Sequence, residues 1–88
     1  MEFFGEIIAG YFDQPNNEFS LQKVKHLDTE SRLNEEQVGN LYEYLDQHKD
    51  QSDGQVITLY DQLMLHLSHE EINQLIEELD EVRALYRI

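Results

Sequence analysis

Phe3, Phe4, Ile7, Ile8, Tyr11 and Phe12 recur at helical spacing, which predicts an amphipathic helix over residues 2–12. Gly5 and Gly10 weaken that helix by about 1 kcal/mol each relative to alanine. The segment "DQPNNE" then breaks the chain, with Pro15 and two asparagines supplying turn chemistry. The following "FSLQKVKHLDTESR" is ambiguous. Phe19, Val24 and Leu27 fit a short helix, while "FSLQKVKHL" also fits a strand.

The pattern sharpens afterwards. "LNEEQVGNLYEYLDQHK" opens with Asn34 at an N-cap position and Gln37 where a capping box places Glu or Gln. Val38, Leu41, Tyr42 and Leu45 then make one apolar face. "DQSDG" ends the helix at an Asp53-Gly54 turn. "QVITLYDQLMLHL" reads as a further helix through its "YDQLML" half, although "QVITL" alone has strand character. The final helix is the best formed, with Ser68 as cap, Glu71 completing a capping box, and Glu70 and Glu71 at the positive end of the dipole. Ile72, Leu75, Ile76, Leu79, Val82 and Tyr86 are its stripe, and Arg83 and Arg87 stand at its negative end.

These elements predict one small domain spanning residues 1–88, an all-α bundle of four or five short helices. The C-terminal helix is its centre through Leu75, Ile76 and Leu79. The alternative is an α+β fold in which "FSLQKVKHL" and "QVITL" pair as a small hairpin. Leu33–Asp46 and Leu67–Asp80 also align without gaps at an offset of 34, with matching Leu, Glu, Leu, Glu, Leu and Asp. Similar capped amphipathic helices account for such a match, and a repeat array would need at least three units.

Charge changes the picture most. The net charge is -13 on 88 residues. Residues 34–81 hold thirteen carboxylates against one cation, Lys49. A solvated helix face usually mixes Glu and Lys four residues apart, and that device is nearly absent here. So much negative charge disfavours nucleic acid and anionic membranes as partners and favours basic proteins. No cysteine is present, which excludes a disulfide framework or thiolate metal site, and no apolar window is long enough for a membrane span. The start carries Glu2 and Glu6 and no basic segment, unlike a signal peptide. Together these features predict a cytoplasmic protein.

Candidate chemistry is sparse. With Gly54 at the sixth place of a calcium loop, Lys49, Gln51 and Tyr60 fall where oxygen ligands are needed, so the loop is a turn. His66, His69 and Glu70 lie close in sequence, but the Ser68 cap puts the two histidines on different elements and no further ligand stands at a recognisable zinc spacing. His26 and His48 have no flanking nucleophile, and no phosphate-binding glycine loop exists. The sequence thus predicts neither an enzyme nor a metal or cofactor.

In size and charge the chain is similar to colicin-type immunity proteins, phage inhibitors of host enzymes and anti-sigma-like regulators. The His-Pro-x-Gly turn and Tyr-Tyr-Pro of the immunity proteins are missing, and no functional residue is carried over. What remains is a class of role: an acidic module that inhibits or regulates a basic, nucleic-acid-binding protein by standing in for phosphates. The predicted contacts are Glu43, Asp46, Glu70, Glu77, Glu78 and Glu81, with Tyr44 as aromatic anchor because it sits among acids, off the apolar stripe. The alternative role is a homodimer assembled through the aromatic N-terminal helix, with Phe3, Phe4, Ile7 and Tyr11 at the contact.

Overall fold

The computed structural model describes residues 1–49, 55–58 and 64–86. It overturns the expected helical bundle. In chain order the elements are β1 (Glu2–Phe4), β2 (Ile8–Asp13), β3 (Glu18–Val24), β4 (Leu27–Leu33), α1 (Glu35–His48), β5 (Gln55–Thr58), β6 (Met64–Leu67) and α2 (His69–Leu85). Strands β1 to β4 form an antiparallel meander in sequence order, and β5 and β6 form a separate hairpin, so the class is α+β. The hairpin expected between "FSLQKVKHL" and "QVITL" is not formed. β3 pairs with β2 and β4, and β5 pairs with β6.

Each misread stretch has a physical cause. Residues 2–12 are two strands, with Ile8, Gly10 and Phe12 facing inward while Tyr11 faces out. The alternation is hidden because one inward position is a glycine. A Cβ on Gly10 would overlap the Ser20 carbonyl and come within 2.7 Å of the Phe19 ring. Phe19 lies over that gap, and Phe3, opposite Gly10, meets Phe19 edge-on with centroids 6.1 Å apart. Bulky aromatics flanking a strand glycine restore the packing that the missing side chain forgoes.

In β3 the register slips between Leu21 and Lys23, so Phe19, Leu21 and Val24 face inward at spacings of two and then three. That phase break mimics a helical pattern. Lys25, at φ 56°, and His26 then make the tight turn into β4. β4 escaped notice because Thr29 and Ser31 occupy its inward positions, their hydroxyls 3.4 Å apart. The helix expected over "QVITLYDQLMLHL" is replaced by β5 and β6. Leu59, Tyr60, Leu63 and the Asp53-Gly54 turn lie outside the described residues, as does Arg87.

The two helices agree with the sequence. Asn34 Oδ1 accepts from Gln37 N at 2.8 Å, and Gln37 Oε1 accepts from Asn34 N at 2.9 Å. Ser68 and Glu71 reciprocate in the same way at 3.2 and 2.9 Å. Leu33 and Leu67 end their strands just before the caps, and Val38 and Ile72 follow four residues inside each helix. All four are at most 1% exposed. This is the hydrophobic-staple arrangement, and it explains the match at offset 34 as a strand end, cap and staple used twice.

Ile8, Phe12, Phe19, Leu21, Val24 and Leu33 of the meander join Val38, Leu45, Ile72, Leu75, Leu79 and Val82 of the helices in one buried cluster. Leu75 and Leu79 are buried as expected, and Ile76 is half-buried. Both helices therefore cover one face of the sheet. The other face presents Tyr11, Gln22, Lys23, Glu30 and Arg32 to solvent.

Tyr86, at the C-cap of α2, locks this arrangement. Its hydroxyl donates to the Leu33 carbonyl at 2.5 Å and accepts from Phe19 N at 3.1 Å. Phe19 and Leu33 are partners across β3 and β4, so the hydroxyl bridges the ladder. Its ring meets Phe12 edge-on at 4.8 Å. Burial pushes the phenol up to about 12, Glu18 and Glu35 add to the rise, and the Phe19 N–H opposes it. Tyr86→Phe leaves a buried N–H and C=O unpaired, an expected loss of about 1–3 kcal/mol in denaturant unfolding at neutral pH. The raised pKa adds stability that is fully present below pH 10 and lost as pH rises to about 12. The phenylalanine variant should lack that part of the alkaline decline.

Candidate functional site

The helix layer carries the acidic residues singled out in the sequence, and helical periodicity sorts them. On α2, Ile72, Leu75, Leu79 and Val82 point to the sheet. Glu70, Glu77 and Glu81 are exposed on the opposite side, at positions i, i+7 and i+11 of one strip. Asp80 is exposed beside them, 3.9 Å from Arg83. On α1, Val38 and Leu45 point inward, and Glu36 and Glu43 are exposed on the outer strip. Glu77 and Glu81 are four residues apart with like charge, a mildly destabilising pair when no partner is bound.

Among the described residues no cation intrudes on either strip. Lys49 pairs with Asp46 at 3.1 Å. The Arg83 guanidinium lies over the Tyr42 ring, 4.4 Å from its centroid. Stacking of this kind, between a residue of α2 and one of α1, helps hold the helices side by side.

Three of the predicted contacts do not join the outer strip. Asp46 is half-buried, on the flank opposite Tyr44, so Glu43, Tyr44 and Asp46 do not converge. Tyr44 is 46% exposed, but its ring stacks on His48 at 4.5 Å, and the His48 ring reaches the Tyr44 carbonyl through Nδ1 at 2.8 Å. The anchor is thus half covered by its own helix.

Glu78 differs more sharply. It is 2% exposed. Its carboxylate accepts from the backbone N–H of Glu6 at 2.9 Å, Ile7 at 3.0 Å and Ile8 at 2.9 Å, and from Gln74 Nε2 at 2.8 Å. It is a fastener of the β1–β2 turn, not a contact residue. Gly5 is required beside it, since a Cβ there would overlap the carboxylate. The sequence signal was its place on the flank of the apolar stripe, between Leu75 and Val82, rather than on the outer strip.

Glu71 lies on the same flank, one heptad earlier. It caps its own helix and bonds Lys25 Nζ at 2.9 Å. Lys25 also donates from Nζ to the His66 carbonyl at 3.3 Å and from its backbone N to the Ile7 carbonyl at 2.6 Å. The Ser68 N–H, and then the Lys25 ammonium, hold the Glu71 carboxyl below its usual range, against a small opposing effect of burial.

The aromatic N-terminal contact set is also rearranged, because no helix carries it. Phe3 and Ile7 are half-buried against the core, whereas Phe4 is 78% and Tyr11 45% exposed. Removing residues 1–12 would delete two of the four meander strands. His66 and His69 are exposed, and among the described residues no group of three His, Cys, Asp or Glu is placed to hold a metal ion. Among the same residues no helix is long and apolar enough to cross a membrane. Two concavities follow the open sheet face, around Ser20 and Arg32, away from the helix strips.

Two substitutions on adjacent residues separate fastening from display. Glu78→Gln turns an amide donor toward backbone donors and should lower unfolding free energy by about 3 kcal/mol. Glu77→Gln should leave it within about 0.5 kcal/mol of the parent. For Glu71 the depressed pKa makes its contribution fully present above 4.5 and lost as pH falls through the lower folded value. Glu71→Gln should therefore show a shallower loss of stability in acid titrations monitored by circular dichroism. No protein-family model matches this chain, and neither a curated protein nor a solved structure matches it.

Proposed function

We propose that this protein binds the basic surface of a nucleic-acid-binding protein through the outer strips of α1 and α2, and inhibits or regulates it there. The observation that supports the reading is the pair of exposed acidic strips, Glu36 and Glu43 on α1 and Glu70, Glu77 and Glu81 on α2, with no cation interleaved among the described residues. Carboxylates in such strips take the places that phosphates would occupy in the partner's groove, so binding competes with nucleic acid. Charge of this kind accelerates encounter and makes it salt-sensitive. The contact set is narrower than the sequence suggested: Glu78 belongs to the fold, and Asp46 and Tyr44 flank the strip. We assign it no catalysis, because the outer carboxylates stand on convex helix surfaces rather than in a cleft. We place it in the cytoplasm on its lack of cysteine.

The test is a comparison of two baits in nuclease-treated host lysate: the parent protein and a variant with Glu43, Glu70, Glu77 and Glu81 all changed to Gln. The parent should retain basic nucleic-acid-binding proteins that elute with salt or with added DNA. The variant should lose them while keeping the parent's circular dichroism spectrum. Retention of the same proteins by both baits would sink the proposal.

A further inference from the structure

β4 is an edge strand of the meander, and among the described residues no strand pairs with its outer side. The Phe19 N–H and the Leu33 carbonyl face each other through Tyr86, so Leu33 directs its backbone groups toward β3. Backbone groups alternate sides along a strand, which directs those of Arg32 and Glu30 outward. Such an edge is a template for another strand.

The side chains on this edge carry a pattern. Asp28, Glu30 and Arg32 project from the open face, and Thr29, Ser31 and Leu33 project inward. Glu30 and Arg32 are both exposed, and neither makes an ion pair among the described residues. The concavity along this edge is lined by Asp28, Glu30 and Arg32 with Ser20 and Gln22.

The geometry points to a second copy of this chain as the occupant, pairing antiparallel along β4 about a two-fold axis at Ser31. In that register Glu30 faces the other copy's Arg32 twice, and Ser31 faces Ser31. Opposite charges directly across an antiparallel pair are stabilising and like charges destabilising. Centring the axis on Thr29 instead sets Asp28 against Glu30, centring it on Glu30 sets that residue against itself, and centring it on Arg32 sets two guanidiniums together. Shifts by one residue would put inward side chains opposite outward ones. Only the Ser31-centred register matches face and charge at once.

The outward backbone groups of Glu30 and Arg32 then meet each other, as a hydrogen-bonded pair requires. The two meanders become one continuous sheet, with both helix layers on the same side. This inference stands on the β4 edge alone and is independent of the acidic strips.

Analytical ultracentrifugation over a broad concentration range tests it at moderate salt. The parent should dimerise reversibly. Glu30→Arg and Arg32→Glu should each weaken the dimer by about tenfold or more, since two attractive pairs become repulsive. An equimolar mixture of the two single variants should dimerise again, as should the double variant E30R/R32E. Circular dichroism confirms that each variant is folded. A parent that stays monomeric would overturn the proposal. So would a dimer indifferent to both single changes, or a failure of the mixture to recover.

Discussion

The Glu78 carboxylate, sealed under α2, is the interaction on which the rest of the molecule depends. Three successive backbone N–H groups, from Glu6 to Ile8, converge on it. A turn between two strands normally leaves such donors to water. Here the turn is pressed against a helix, and the two oxygens of one side chain answer all of them at once. Hydrogen bonds to a charged group are worth about 1.5–3 kcal/mol each, roughly twice neutral ones. Removing the acceptor leaves the Ile8 donor buried and those of Glu6 and Ile7 part-buried, so the helix, the turn and the glycine before it depend on one another.

From that point the contacts of α2 reach every part of the meander. Glu71 grips Lys25 in the β3–β4 turn, and Lys25 is itself bonded to Ile7 in the β1–β2 turn. At the far end Tyr86 bridges Phe19 and Leu33 and braces Phe12. The helix is therefore tied by polar bonds at three places and by an apolar stripe between them. A small domain with no disulfide needs such ties, because its buried apolar area alone leaves little margin over conformational entropy. They also fix the height and rotation of α2, and so the direction in which its outer carboxylates project.

The two capped helices were legible in the sequence, whereas strand character showed only in "FSLQKVKHL" and "QVITL", and there only as an alternative to helix. Caps and stripes announce a helix locally, and both capping boxes lie where the side chains placed them. A strand announces itself by alternation, and β2, β3 and β4 each hide one beat of it. In β2 the missing beat is Gly10, whose place is filled from β1 and β3 by Phe3 and Phe19. In β3 it is the slip beside Gln22, and in β4 it is the use of Thr29 and Ser31 at inward positions. All three depend on neighbours distant in sequence. The acidic surface was half legible for the same reason. Periodicity places Glu70, Glu77 and Glu81 outside, but nothing local says that Glu78 will find three backbone donors seventy residues away in the chain.

Glu77 and Glu78 carry the argument to its sharpest point. They are adjacent and chemically identical, and about 100° of helix rotation separates them. One is committed to the fold, while the other is open to water or to a partner. The same helix thus spends its inner carboxylates on holding the sheet and displays its outer ones at a fixed angle. The repulsion between exposed acids acts on an element already fastened from beneath, so it raises the energy of the free surface without loosening α2. A cation that settles on the outer strip relieves that repulsion, and the relief appears as affinity rather than as a change of fold.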